Sequence, residues 1–190
     1  CHRLYLRHRS NPLDLLMREE RRDGRRLIHD EGVFIAAQFA PSFPNEILVV
    51  PKDPMAHILQ TGPADRCRII KPALGVFHAL FFYGGVTNLN VAVHMAPFAL
   101  MDSAQAYFRW HMHIYPRRSS LPSDRAGAEL GYDLNVIDAL PENTAAKLRN
   151  WFEYGPKEEL LARRPDGNID PKLAETFQKF LSREPDYRCL

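Results

Sequence analysis

The sequence has few cysteines, and they are widely spaced. Only three occur among its 190 residues, at Cys1, Cys67 and Cys189. A small disulfide-rich domain needs more cysteines at closer spacing, so this class of protein is excluded, and the odd count leaves at least one thiol unpaired. We therefore expect a reducing, cytoplasmic location.

The sequence also lacks a long apolar run and a strong net charge. The longest nearly apolar stretch, residues 73–83, contains His78 and is much shorter than the roughly 20 residues that a membrane-spanning helix requires. The formal net charge is only +2 at pH 7, so the overall field does not favour nucleic acid or an anionic membrane as a partner. We expect neither.

The chain does have enough apolar residues, 45% of the total, to fill the core of one compact domain. Hydrophobic periodicity predicts helices at 12–22, 65–83 and 141–149, and strands at 33–40, 46–50, 86–94, 108–115 and 128–137. The first two strands form a hairpin-like pair, and Pro72 kinks or restarts the second helix. We expect an N-terminal helix and arm at 1–30, the main domain at 31–152 and a peripheral helical tail at 153–190.

The predicted strand 108–115 carries two histidines at alternate positions. Alternate residues of a strand share a face, so His111 and His113 lie side by side. Arg109 and Tyr115 lie on the same face of the strand as these histidines. The other face, which we expect to point into the core, carries Phe108, Trp110, Met112 and Ile114. His94 ends the preceding strand and joins the pair if the two strands are neighbours. Pro116 has no N–H and is expected to end the strand.

Three convergent imidazoles suit two kinds of chemistry. In the first, the three histidines bind zinc or iron, and Glu129 on the next predicted strand is a candidate fourth ligand. Alternatively, one imidazole attacks a phosphate ester and carries the nucleotidyl group as a phosphoramidate, while a hydrogen bond fixes its other nitrogen. The alternative without function is a pair of hydrogen-bonded, partly buried histidines.

Other polar residues are candidates for supporting roles. His57 follows the second predicted strand and either approaches a metal or is an ordinary loop histidine. Arg117 and Arg118 directly follow the histidine strand and either bind phosphate oxygens or face solvent. Asn90, Ser103 and Arg117 are our candidate substrate contacts.

Four segments, in order, resemble the galactose-1-phosphate uridylyltransferase family. They are FIAAQFAPSFPNEILVVPK at 34–52, HMAPF at 94–98, WHMHIYP at 110–116, and GAELG at 127–131 followed by PENTAA at 141–146. The resemblance covers residues from about 30 to 150 and is to the C-terminal half of that family.

The resemblance implies an α+β, histidine-triad-like fold, with an antiparallel sheet of about five strands and helices packed on it. Family members contain two such halves, so it also implies a homodimer or pairing with a separate half. His94, His111 and His113 match the family's metal-binding histidines, and His113 occupies the position equivalent to the nucleophile of the other half.

Two functions follow from the resemblance. The first is a nucleotidyltransferase or nucleotide hydrolase, linked to galactose metabolism, that acts on a nucleotide or nucleotide sugar with His113 as nucleophile and His111 orienting it. The second is a non-catalytic zinc- or iron-binding half-domain that serves as scaffold or substrate clamp for a partner.

The sequence departs from the family pattern at three places. Ile114-Tyr115 replaces the Gly-Gln that follows the family's nucleophile. Leu4 replaces the second cysteine of a zinc knuckle, and Pro54 replaces a loop histidine, so we do not expect the family's structural zinc. The family's carboxylate ligand comes from the other half.

Overall fold

The computed structural model describes residues 2–84, 86, 88–117 and 136–154. Its helices are α1 (His2–His8), α2 (Pro12–Asp23), α3 (Pro63–Gly84) and α4 (Pro141–Tyr154). Its strands are β1 (Leu27–Glu31), β2 (Val33–Ala37), β3 (Ile47–Pro51), β4 (Asn88–His94) and β5 (His111–Arg117). Short 3-10 turns lie at Ile58–Gln60 and Phe98–Leu100.

The five strands form one open antiparallel sheet in the order β1-β2-β3-β5-β4. Every residue of β2 and β3 is buried, because these strands lie in the middle of the sheet between helices on both faces. The predicted α+β fold with five strands is confirmed, and β2 and β3 are the predicted hairpin-like pair.

One face of the sheet packs against α3 and α4 and holds the main core. Trp110, Met112 and Ile114 all belong to this core, so the apolar parity of the histidine strand faces inward as predicted. Trp110 is almost completely buried, and its indole N–H donates to the Thr61 hydroxyl at 3.0 Å. A buried indole needs such a partner, because an unpaired N–H in the core is costly.

The opposite face is covered by α2, which packs on β2 and β3. Met17 of α2 is buried against Phe34, Ala36, Leu48 and Val50. The Asn11 side chain accepts the Leu13 N–H at the start of the helix, and Gly24, with φ of 73°, ends it. Since this apolar cluster draws on β2 and β3, it does not extend over the same face of β5 and β4, where the histidines lie.

Arg109 fixes α2 to the sheet at the base of β5. Its guanidinium donates to the carbonyl oxygens of Pro51 and Lys52 and to the Asp14 carboxylate on α2. The alternation of residues predicted that Arg109 lies on the same face as the histidines. The structure places it on that face, where it is buried and links α2 to the sheet.

Several local predictions need correction. Pro116 lies inside β5 rather than ending it, opposite Leu89 of β4. The pairing of β5 with β3 stops at Ile114, so Pro116 lies where β5 has one neighbour, a position that tolerates proline. Pro72 lies within the single helix α3, so it does not restart the helix, and the kink stays a prediction. Strand β1 and helix α1 were not predicted.

Other expectations fall partly outside the described residues. Residues 136–137 are not in a strand, whereas residues 128–135 and all residues after 154 are not described. Cys67 on α3 is disulfide-bonded, although the sequence predicted no disulfide framework. Within the described residues, we find no helix with the length and apolar character needed to cross a membrane.

Candidate functional site

Three histidines come together where β4 pairs with β5. His94 lies directly opposite His111, and the small Ala92 lies opposite His113. The ring centroids are 5.0 Å apart for His94 and His111, 5.1 Å for His94 and His113, and 5.3 Å for His111 and His113. The prediction that His94 ends a neighbouring strand and joins the pair is therefore confirmed.

His111 is held by a backbone carbonyl. Its Nδ1 lies 2.9 Å from the Arg109 carbonyl oxygen, which only accepts hydrogen bonds, so Nδ1 donates and Nε2 carries the free lone pair. Burial lowers the pKa of His111 to about 4, and the neighbouring His113 and His94 favour the neutral ring in the same direction. The ring is therefore neutral at pH 7, as a ligand or a hydrogen-bond acceptor must be.

His113 is held by a buried carboxylate. Its Nδ1 lies 2.5 Å from Glu46 Oε1, and the Glu46 side chain is only 3% exposed. Tyr115 stacks on the ring at an interplanar angle of 12°. Sequence reasoning missed Glu46, although its parity with Leu48, which pairs with His113, places it on the histidine face.

The three histidines fit a transition-metal site. One imidazole nitrogen from each lies within 4.8 Å of the other two. A tetrahedral site with metal–nitrogen bonds of about 2.0–2.1 Å requires nitrogens roughly 3.3 Å apart, so the rings would have to approach one another by up to about 1.5 Å to bind one ion. Two of the three rings already have their second nitrogen fixed by a carbonyl or carboxylate, as metal-bound histidines usually do.

The predicted substrate contacts have different positions. Asn90 on β4 lies opposite Tyr115, and Arg117 ends β5 opposite Asn88, so both flank the histidines on the same face of the sheet. Ser103 lies in the turns after Phe98–Leu100, and its hydroxyl donates to the Leu100 carbonyl at 3.2 Å. Glu129, the predicted fourth ligand, and Arg118 lie outside the described residues.

His57 has a structural position. Its Nδ1 accepts the Leu59 N–H at 3.1 Å, and Gln60 closes a capping box by accepting the His57 N–H. Of the two interpretations from the sequence, this geometry favours the ordinary loop histidine, because Nδ1 is already occupied.

Comparison with known proteins gives a similarity of fold. No protein-family model and no curated protein sequence matches the chain. A solved structure of uridylyltransferase is 22% identical with a TM-score of 0.68, and the match covers 82% of this chain and 49% of that one. The ADP-glucose phosphorylase of Arabidopsis thaliana with bound ADP-glucose is 20% identical with a TM-score of 0.61, over 78% and 46% of the two chains.

Histidine-triad proteins are also among the structural neighbours. A Hit-like protein from Bartonella henselae is 19% identical with a TM-score of 0.45, and the match covers 65% of this chain and 83% of that one. The uridylyltransferase-like neighbours that the sequence motifs predicted are confirmed at the level of the fold by the two matches with TM-scores above 0.6. The chain spans about half the length of the uridylyltransferase and phosphorylase structures that it matches.

Proposed function

We propose that this chain is a metal-binding half of an enzyme that processes a nucleotide sugar or a related nucleotide. The observation that carries the proposal is the convergence of His94, His111 and His113 on one face of the β4–β5 pair. The similarity of fold to a uridylyltransferase and to a phosphorylase with bound ADP-glucose supports the substrate class. Zinc and iron both accept imidazole ligands, so either metal suits this donor set.

If a metal binds here, His94, His111 and His113 would supply three of its ligands. Such an ion would supply Lewis-acid chemistry, or would stabilise the pairing of β4 with β5. The chain's own residues hold the ligand rings in place, and Asn90 and Arg117 lie beside them as substrate contacts. Glu129 or a carboxylate of a partner half is the proposed fourth ligand.

Metal analysis tests this proposal directly. We expect the purified protein to contain about one equivalent of zinc or iron, and His94→Ala, His111→Ala and His113→Ala each to lose it. His8→Ala is the matched control, because His8 is an exposed histidine on α1. Wild-type protein that stays metal-free after incubation with zinc or iron, followed by removal of unbound metal, would contradict the proposal.

The second candidate function is nucleotidyl transfer with His113 as the nucleophile. The hydrogen bond from His113 Nδ1 to Glu46 favours it, because it leaves Nε2 as the atom with a free lone pair. Nε2 would attack the α-phosphorus and form an N–P bond while the P–O bond to the leaving phosphate breaks with its electron pair. Water or a sugar phosphate then displaces the nitrogen, and His111 orients the reacting ring.

Covalent labelling separates the two candidates. Metal-free protein incubated with α-³²P-labelled nucleotide sugar should form an acid-labile phosphoramidate that His113→Ala does not form. The same experiment with metal-loaded protein should give no label if Nε2 is a ligand. Undiminished turnover in His113→Ala would reject the nucleophile.

We also propose that the chain works as a homodimer. Among the described strands, β4 ends the sheet, and its Val91 and Val93 are about 40% exposed. An unpaired edge with exposed apolar side chains is a surface suited to pairing with a second strand. Size-exclusion chromatography with light scattering should give twice the chain mass, and a clean monomer would count against a homodimer.

A cytoplasmic location is proposed from the low cysteine content, and the disulfide at Cys67 is the observation that counts against it. Thiol titration of protein extracted under alkylating conditions tests it, because a reducing compartment keeps cysteines free. Recovery of Cys67 in a disulfide from such an extract would argue against the cytoplasm.

A further inference from the structure

Glu46 is a buried carboxylate that the sequence analysis did not connect to the site. It directly precedes β3 and is 3% exposed. Burying a carboxylate is costly unless its oxygens are hydrogen-bonded. Here both are, since Oε2 accepts the Ser42 N–H at 2.6 Å and Oε1 lies 2.5 Å from His113 Nδ1.

The backbone of Glu46 is fixed as well. Its N–H donates to the Phe43 carbonyl at 3.2 Å, and its carbonyl accepts the Gln38 N–H at 3.0 Å. Hydrogen bonds therefore fix both the backbone of Glu46 and its carboxylate oxygens. A carboxylate placed this firmly against one ring nitrogen restricts the orientation of the imidazole.

We infer that Glu46 is a positioning residue that keeps the proton of His113 on Nδ1 and directs Nε2 toward the histidine cluster. An ionised carboxylate only accepts hydrogen bonds, so Nδ1 must be the donor and Nε2 must carry the free lone pair. The functional consequence rests on the proposed metal site, whereas the choice of tautomer does not.

His111 and His113 both carry the proton on Nδ1, but different groups of the protein accept the hydrogen bond from it. His111 is held by the Arg109 carbonyl, a backbone group that no substitution removes. His113 is held by the side chain of the residue that precedes β3, 67 positions away in the chain. A carboxylate partner also makes the opposite nitrogen a stronger donor to a metal than a neutral partner does. Glu46 is thus the side chain through which the protein sets the strength of this ligand.

A direct metal ligand is the rival role for Glu46. Both of its oxygens already have partners, and one partner is a histidine of the cluster itself. The two roles differ in metal-free protein. A positioning residue controls the His113 tautomer there, whereas a residue that acts only as a ligand has no effect on it.

The first experiment reads the tautomer without metal. Protein labelled with ¹⁵N-histidine and treated with chelator is studied by long-range ¹H–¹⁵N correlation at pH 8, with His113→Ala to assign the signal. We expect Nδ1–H in the wild type and a shift toward Nε2–H in Glu46→Ala and in Glu46→Leu, which preserves the side-chain volume. Nε2–H in the wild type, or the wild-type spectrum in both variants, would overturn the inference.

Glu20→Ala is the matched control. Glu20 is also a buried glutamate, 4% exposed, but its carboxylate pairs with Arg26 at 3.0 Å rather than with a histidine of the cluster. Thermal unfolding checks that each variant is folded. The Glu20 variant should retain the wild-type His113 tautomer, so a shift in this control would mean that the change reflects general destabilisation.

The second experiment measures zinc affinity by competition with a chelating dye. Loss of a hydrogen-bond partner behind a metal ligand typically weakens binding by about 10- to 100-fold, and we expect this loss in both Glu46 variants but not in Glu20→Ala. Wild-type protein that binds neither zinc nor, in a parallel titration, iron would refute the proposed metal site while leaving the tautomer result to decide the role of Glu46. A shifted tautomer with unchanged zinc affinity would refute the functional consequence.

Discussion

Replacing Arg109 with alanine should destabilise the fold by about 3–5 kcal/mol. The guanidinium is 4% exposed and donates to the carbonyls of Pro51 and Lys52 and, at 2.5 Å, to Asp14. Each of the two carbonyls loses a charge-assisted hydrogen bond worth roughly 1.5–2 kcal/mol. Asp14 is 43% exposed, so solvent screening reduces its share to less than about 1 kcal/mol.

Urea unfolding of metal-free protein, followed by circular dichroism, measures this loss. Arg21→Ala is the matched control, because Arg21 makes two hydrogen bonds to Asp30 at 2.7 and 3.0 Å but is 40% exposed. We expect this control to lose no more than about 1 kcal/mol. Equal losses in the two variants, or a loss below about 1 kcal/mol for Arg109→Ala, would refute the argument that burial makes the difference.

Three further substitutions test other parts of the structure. Gly24→Ala should lower stability by about 1–2 kcal/mol in a thermal melt, because φ of 73° is unfavourable for alanine although the added Cβ meets no atom within 4 Å. Thr61→Val should cost about 1–3 kcal/mol by urea unfolding, since it leaves the buried Trp110 indole N–H without its acceptor. Burial lowers the pKa of His78 below its ordinary 6.5, so the unfolded chain binds its proton more readily. Stability should therefore fall as the pH drops below 6.5, and His78→Leu should reduce this fall in pH-dependent melts; an identical pH profile would contradict it.

The histidine strand was predictable because its signals are local. Trp110, Met112 and Ile114 alternate with His111 and His113, and a period of two residues places each set on its own face. The adjacency of His94 was also predictable, since a strand of matching parity precedes β5 in the chain. Both conclusions needed only neighbouring elements.

The features that were missed depend on contacts distant in sequence or on weak patterns. Glu46 and His113 meet because β3 pairs with β5, a register that no periodicity in either segment reveals. Strand β1, with the sequence LIHDE, lies at the sheet edge and has one buried residue in five, so it lacks the apolar pattern of a strand. Pro116 remains in β5 because the pairing of β5 with β3 stops before this residue. This again depends on the order of the strands in the sheet.

His94 is the residue that separates the two candidate functions. Metal binding and nucleophilic attack both use His113 Nε2, so they exclude each other at that atom, and both benefit from Glu46 behind the ring. His111 also serves both functions, as a ligand or as the orienting neighbour. His94 has a defined part only in the metal site, where it supplies the third nitrogen from the edge strand. If its loss removes metal but spares the labelling of His113, the cluster is able to perform both functions in different states; if its loss removes neither, the metal site is wrong.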